Sequence, residues 1–232
     1  MQPARYTDLQ GCIQSLGLPR SPNLDWNLLN LALTHPSASA IANYEQLEFM
    51  GDAVLRLAAA EFLTETYPQL AVGELSALRS QLVSDRLLAT IAEAYTLDRY
   101  ILKSSSAATD RAGITARQAD ALEALLAVLY LTTQDLQLVR TLLKPHFVEL
   151  TAIIRKDPAR QNYKAALQEL TQARYQQLPK YRSSEVNPVH AAPDRFQAEV
   201  WFQGQCYGQG VGRSIKAAEQ AAAQAAFTAL QM

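Results

Sequence analysis

Three carboxylates fall within eight residues: Glu45, Glu48 and Asp52. On a helix they occupy i, i+3 and i+7, one face about two turns long. Leu47, Met50, Val54 and Leu55 lay an apolar face beside them. Acids this close repel one another and resist burial unless a positive charge lies between them. The cation that suits all-oxygen ligands is a hard divalent ion. The plainer alternative is a solvated acidic helix face, and the apolar neighbours favour partial burial instead. A second pair, Asp120 and Glu123 at i and i+3, stands in the apolar run 116–131. Its plainer reading is a cap and a surface acid, with Asp120 near a helix start, where the dipole favours it.

The elements that must position these acids read as helices. The spacing predicts them over residues 5–17, 26–34, about 44–67 and then from Leu75 onward. Pro68 stops the acid-bearing helix, whose Ala-rich half (Leu57–Phe62) reads as a central core helix. Residues 70–74 read as a short loop and Ser84-Asp85 as a helix cap. Lys103–Gly113 reads as a mobile loop, and the last front helix spans about 136–154, with a kink or break at Pro145. His35 closes a helix, a place where hydrogen bonding to a neighbouring loop is the expected role. No strand pattern precedes residue 155, so residues 1–154 read as an all-α domain.

A linker is expected over 155–160, and the pattern then changes. An amphipathic helix from Tyr163 precedes strands near 179–186, 196–202 and 206–211, and an Ala-rich helix over 215–230 follows. This α-β-β-β-α order over 161–232 fits a small α+β domain, with both helices on one face of an antiparallel sheet.

The 232 residues, 49% hydrophobic and 19% charged, are enough for a substantial core. The net charge of −1 conceals an asymmetry. Residues 1–154 carry 11 basic against 16 acidic side chains, and residues 155–232 carry 10 against 6. An acidic front and a basic rear imply modules with different partners, the rear one suited to a polyanion. Two cysteines, Cys12 and Cys206, without metal-type spacing, fit a reducing compartment. No targeting segment or membrane-length apolar run is seen, and a cytoplasmic protein is expected.

Tyr44-Glu45-Gln46-Leu47-Glu48-Phe49-Met50-Gly51-Asp52 resembles the signature helix of the ribonuclease III family, roughly Asn-Glu-Arg-Leu-Glu-Phe-Leu-Gly-Asp. Thr34-His35-Pro36-Ser37 is similar to the segment before that signature, and Asp120–Leu125 to the family's second acidic helix. Residues 157–230 resemble its double-stranded-RNA-binding domain. The resemblance implies an endoribonuclease that hydrolyses double-stranded RNA, leaving 5′-phosphate and 3′-hydroxyl ends, in ribosomal, messenger or regulatory RNA processing. It implies Asp52 and Glu123 as indispensable catalytic acids and Glu48, Asp120 and Glu123 as ligands of Mg2+, for which Mn2+ substitutes. It also implies a homodimer, with Glu45 an accessory acid at its interface. On the rear domain it implies RNA contacts from Gln168, Glu169, Gln172, His190, Arg213 and Lys216, with Arg174, Lys180, Arg182 and Arg195 able to add to them.

The departures are specific. Tyr44 replaces Asn, Gln46 replaces Arg, and Val72 stands where the family often has an acid before Gly73. Ile215 and Ala217 occupy positions where the family's last helix carries phosphate-gripping charge. The rival reading is a double-stranded-RNA-binding protein that does not cut; a helical interaction protein with incidental acids ranks behind it.

Overall fold

The most deeply buried helix among the described residues is α7 (Ile114–Thr133), whose 0–3% exposed positions include Arg117, Ala121, Leu122, Ala124, Leu125, Leu126 and Val128. A helix whose apolar residues are buried around most of its circumference belongs at the centre of a domain. The computed structural model describes residues 2–18, 23–156, 162–189 and 192–231. The chain divides into two compact units, Met1–Ala152 and Ile153–Met232.

In the first unit, α7 is flanked by α3 (Glu45–Thr66), α5 (Asp85–Ala94) and α2 (Trp26–Ala32). Around them lie α1 (Pro3–Ser15), α4 (Val72–Leu82) and α6 (Ser105–Thr109), and α8 (Gln137–Lys156) ends the helical series. Asp25 caps α2 by accepting from the Asn27 and Leu28 amides, and Ser84 caps α5 by accepting from Leu87. Ala58 and Ala59 of α3 and Ala121 and Ala124 of α7 are all 1% exposed or less, and small residues on both helices suit close packing.

Several expectations change. The second half of α3 is buried at Ala58, Ala59, Phe62 and Leu63 as expected, with Leu57 52% exposed on its outer face, and α7 is buried more completely still. The loop expected over 70–74 is shorter: Leu70 and Ala71 are non-helical, α4 begins at Val72, and Glu74 folds back to accept from the Ala71 amide at 3.2 Å. Such a turn-closing acid at N3 is a local signal. The 103–113 segment contains α6, capped by Ser104 and held by the buried Arg117, which donates to the Ala107 carbonyl at 3.0 Å. Helix α8 runs unbroken through Pro145 to Lys156, two residues into the stretch expected as linker; residues 157–161 of that stretch lie outside those described.

The second unit is α9 (Tyr163–Tyr175), β1 (Lys180–Glu185), β2 (Phe196–Phe202), β3 (Gln205–Gly212) and α10 (Ile215–Gln231). The sheet is antiparallel in the order β1-β2-β3. The β2–β3 turn places Gln203 and Gly204 at φ 51° and 79°, the paired positive values of a tight two-residue hairpin. Ala198 and Val200 face inward against Leu167 of α9 and Ala218, Ala222, Ala226 and Phe227 of α10. Gly208, Gly210 and Gly212 bring β3 against α10 so tightly that a Cβ at each would fall 2.3–2.6 Å from its backbone. The alanine stripe and the glycine row are two sides of one close contact.

Candidate active site and RNA-binding surface

The site begins where α3 crosses α7. A Cβ on Gly51 would lie 1.9 Å from the carbonyl oxygen of Glu123. Only glycine permits that approach, which fixes Glu48 and Asp52 of α3 beside Asp120 and Glu123 of α7. The two acid pairs, far apart in sequence, meet through this crossing.

The electrostatics show that they face one another. Burial first, and then Asp52, Glu48, Asp120 and Asp85, push Glu123 up to about 8. Burial, followed by Asp120 and Glu45, raises Glu48 above its ordinary value. Burial also raises Asp120, with Asp85 adding to it and the Tyr44 hydroxyl opposing it. A carboxyl that stays protonated near neutral pH marks a site short of positive charge. Asp120 is in the second turn of α7, beyond the unpaired amides of the first, so the helix dipole does not account for it.

Two side chains hold individual acids. Arg56 donates its Nε–H to both oxygens of Asp52, at 2.9 and 2.8 Å. The Tyr44 hydroxyl donates to Asp120 Oδ2 at 3.3 Å; burial first, then Asp120, raises this phenol above its ordinary value. With the carboxylates so engaged, no three His, Cys, Asp or Glu side chains among the described residues converge as a closed metal cage. The backbone places the acids together, while the side-chain rotamers leave Asp52 turned to Arg56. The donor chemistry, all oxygen and predominantly anionic, still fits a hard divalent cation.

Glu45 is exposed on α3 and couples electrostatically to Glu48. His35 is held within its own loop: its Nδ1 accepts from the Ser37 amide at 2.9 Å and contacts Ser37 Oγ at 2.7 Å. Sequence reasoning overlooked Asp85, which adds negative potential at both Asp120 and Glu123. It registered Tyr44 only as a departure and did not single out Arg56. Asp85 gave no signal beyond its cap, because its relation to α7 depends on how α5 packs.

On the second unit, Gln168, Glu169 and Gln172 are exposed on α9, and Arg213 and Lys216 are exposed at the start of α10. His190 lies outside the described residues. Ser214 caps α10 by accepting from the Ala217 amide at 3.2 Å. Lys164 is already committed: it donates to Glu219 at 2.6 Å and lies 4.6 Å from the centre of the Tyr181 ring. Ile215 is 49% exposed beside Lys216, an apolar side chain on an otherwise polar helix start.

A helical domain with paired acids across one crossing, followed by an α-β-β-β-α domain, defines a class: a nuclease joined to a double-stranded-RNA-binding module. The comparisons with known proteins agree. The family described as Ribonuclease III domain matches residues 45–134, and the double-stranded RNA binding motif matches residues 163–230. Ribonuclease 3 2 of Nostoc sp. is 55% identical over 228 residues, 98% of this chain and 94% of that protein. Ribonuclease 3 2 of Synechocystis sp. is 49% identical, over 97% of this chain and 92% of its own. The nuclease domain of ribonuclease III from Campylobacter jejuni superposes with a TM-score of 0.55 at 34% identity, covering 61% of this chain and 96% of that one. The chain belongs to the ribonuclease III family, the endoribonucleases of double-stranded RNA.

Proposed function

We propose that the acids at the α3–α7 crossing hold Mg2+, or Mn2+ in its place, and hydrolyse the phosphodiester backbone of duplex RNA. The observation that carries this is the close α3–α7 crossing at Gly51, which sets Glu48 and Asp52 beside Asp120 and Glu123; burial and four neighbouring carboxylates push Glu123 up to about 8. That charge deficit calls for a cation, and Glu48, Asp120 and Glu123 are the assigned ligands, with Asp52 and Glu123 the indispensable acids. When bound, the ion lowers the pKa of bound water and neutralises charge on the phosphoryl oxygens. The chain's own part is to gather oxygen donors on two rigid helices and, without a cation, to repel the phosphate backbone. Attack by water on phosphorus with cleavage of the P–O3′ bond leaves 5′-phosphate and 3′-hydroxyl ends.

The second unit holds the duplex. Gln168, Glu169 and Gln172 of α9 and His190 are assigned to the minor groove, and Arg213 and Lys216 to phosphates. A domain of this type reads duplex shape over about 16 base pairs. Two identical sites, one per strand, need two copies of the chain. Phe49, 84% exposed on the same helix as Glu45, and Ile41, 97% exposed, supply apolar surface for pairing. The Campylobacter jejuni nuclease domain is described with a region involved in dimer formation. Processing of ribosomal, messenger or regulatory RNA in the cytoplasm is the role proposed for such an activity. No helix among the described residues is long and apolar enough to cross a membrane.

The test is a long labelled duplex incubated with Mg2+, with chelator, and with Glu123→Gln. Cleavage that needs the ion and the acid is expected; cleavage unaffected by chelator would sink the metal assignment.

A further inference from the structure

We infer that Tyr44 is a positioning residue for the nuclease site: its hydroxyl fixes one oxygen of Asp120, so that the other stays directed to a ligand. This rests on the metal-site reading above and deepens it. The signature resemblance treats position 44 as a departure, and the structure gives that departure a contact.

Tyr44 is 2% exposed and is the residue just before α3. Its position is set from three sides. Its backbone amide donates to the Thr34 carbonyl at 3.0 Å, and its own carbonyl accepts from the Glu48 amide at 2.8 Å. The His35 ring packs edge-on against it, with centroids 5.7 Å apart and planes at 82°. The ring therefore has little freedom, and its hydroxyl reaches across to Asp120 Oδ2 on α7 at 3.3 Å.

Among the described residues no other side chain donates a hydrogen bond to that carboxylate. Among the described residues Tyr44 is thus the one side-chain donor to Asp120, alongside the backbone amide of Asp120 itself, and it ties the start of the helix bearing Glu48 and Asp52 to the helix bearing Asp120 and Glu123. At 3.3 Å the bond is long. A carboxylate oxygen occupied by a rigid donor leaves one oxygen for a cation, which reduces the conformations lost on binding. A tyrosine does here, from the α3 side, what a hydrogen-bonded outer partner does for a metal ligand in general.

The experiment uses the full chain without RNA. Mn2+ and Mg2+ affinities are measured by calorimetry for wild type and Tyr44→Phe, which keeps the ring and removes only the hydroxyl. Loss of such an outer partner typically costs about 10–100-fold in metal affinity, and that weakening is expected. Cleavage assays then separate positioning from scaffolding. The Tyr44→Phe deficit should be recovered by raising the metal concentration, with the KM for duplex unchanged. Wild-type metal affinity in Tyr44→Phe would overturn the assignment. So would a deficit that saturating metal does not repair, because that pattern belongs to a distorted fold. If wild type itself binds neither ion, the metal reading fails and Tyr44 falls with it; an unaffected Tyr44→Phe against a metal-binding wild type removes the Tyr44 role alone.

Discussion

The two units handle charge in opposite ways. The first brings carboxylates together under partial burial, against their mutual repulsion, and holds them there with the Gly51–Glu123 contact. The second leaves Arg213 and Lys216 in solvent at the start of α10 and ties Lys164 to Glu219. On the proposed function, a site for a small, hard ion would need rigid convergence, whereas a surface that tracks a phosphate backbone would need only accessible charge at the right spacing. The contrast predicts that front mutations act steeply and locally, and rear mutations act gradually and with salt.

The steepest effect is expected from Glu123→Gln. Cleavage should fall by roughly 10³-fold or more, about 4 kcal/mol of barrier, while duplex affinity measured in chelator stays near wild type. Equal losses of binding and cleavage would erase the division of labour between the units. Gly51→Ala comes next. Its Cβ would meet the Glu123 carbonyl oxygen at 1.9 Å, and overpacking of this kind costs roughly 1–3 kcal/mol. Thermal unfolding should show a lower Tm with activity reduced beyond what the unfolded fraction explains. An undisturbed Tm would mean that the crossing is looser than described.

Lys216→Ala tests the other side of the comparison. Affinity should drop about equally for duplexes of different sequence, and the slope of log K against log salt should shrink by roughly 0.7–0.9. An unchanged slope would place the phosphate grip elsewhere, with Arg174, Lys180, Arg182 and Arg195 the next positions to examine.

The smallest effect concerns pH. The folded-state value of Glu123, about 8, exceeds its ordinary 4.5, so between those values the folded protein holds a proton that the unfolded chain has released. Stability of the metal-free protein therefore falls as pH rises from about 4.5 to 8 and levels above that. Glu48 and Asp120, also raised, act in the same sense; Asp52 and Asp85 face the group, and Arg56 is the nearby cation. Asp98, lowered beside Lys103 and Arg117, acts in the opposite sense and only at acid pH. Glu123→Gln should flatten the fall in Tm at pH 8. Discounted for solvent reaching the carboxyl, about 1 kcal/mol remains, roughly 2–4 °C in a chain of this size. A fall of the same size in the variant would assign the effect to other groups.

Local pattern determined much of this protein. Acid spacing on α3, the apolar run of α7 and the alternation Phe196-Ala198-Val200-Phe202 are short-range signals, and the elements formed where they pointed. The same short range explains the misses. Glu74 folding back on Ala71 started α4 earlier than the hydrophobic spacing did, and Arg117 turned part of a polar segment into α6 through a contact ten residues away. Leu57 is apolar, yet it lies on the outer face of α3 while its neighbours Ala58 and Ala59 are buried.

What the sequence by itself determined is which residues carry charge and on which face of which helix, because helical periodicity fixes both. Only the tertiary structure decided which of those faces meet. Gly51 reads as an ordinary helix-weakening residue until the Glu123 carbonyl is found 1.9 Å from where its Cβ would stand. Asp85 reads as a cap residue until α5 packs on α7 and its charge adds to Glu123. Tyr44 reads as a substitution until its hydroxyl reaches Asp120 on another helix. In each case the cause is a through-space contact between distant segments, and repulsion among carboxylates depends on separation in space, which sequence spacing does not measure.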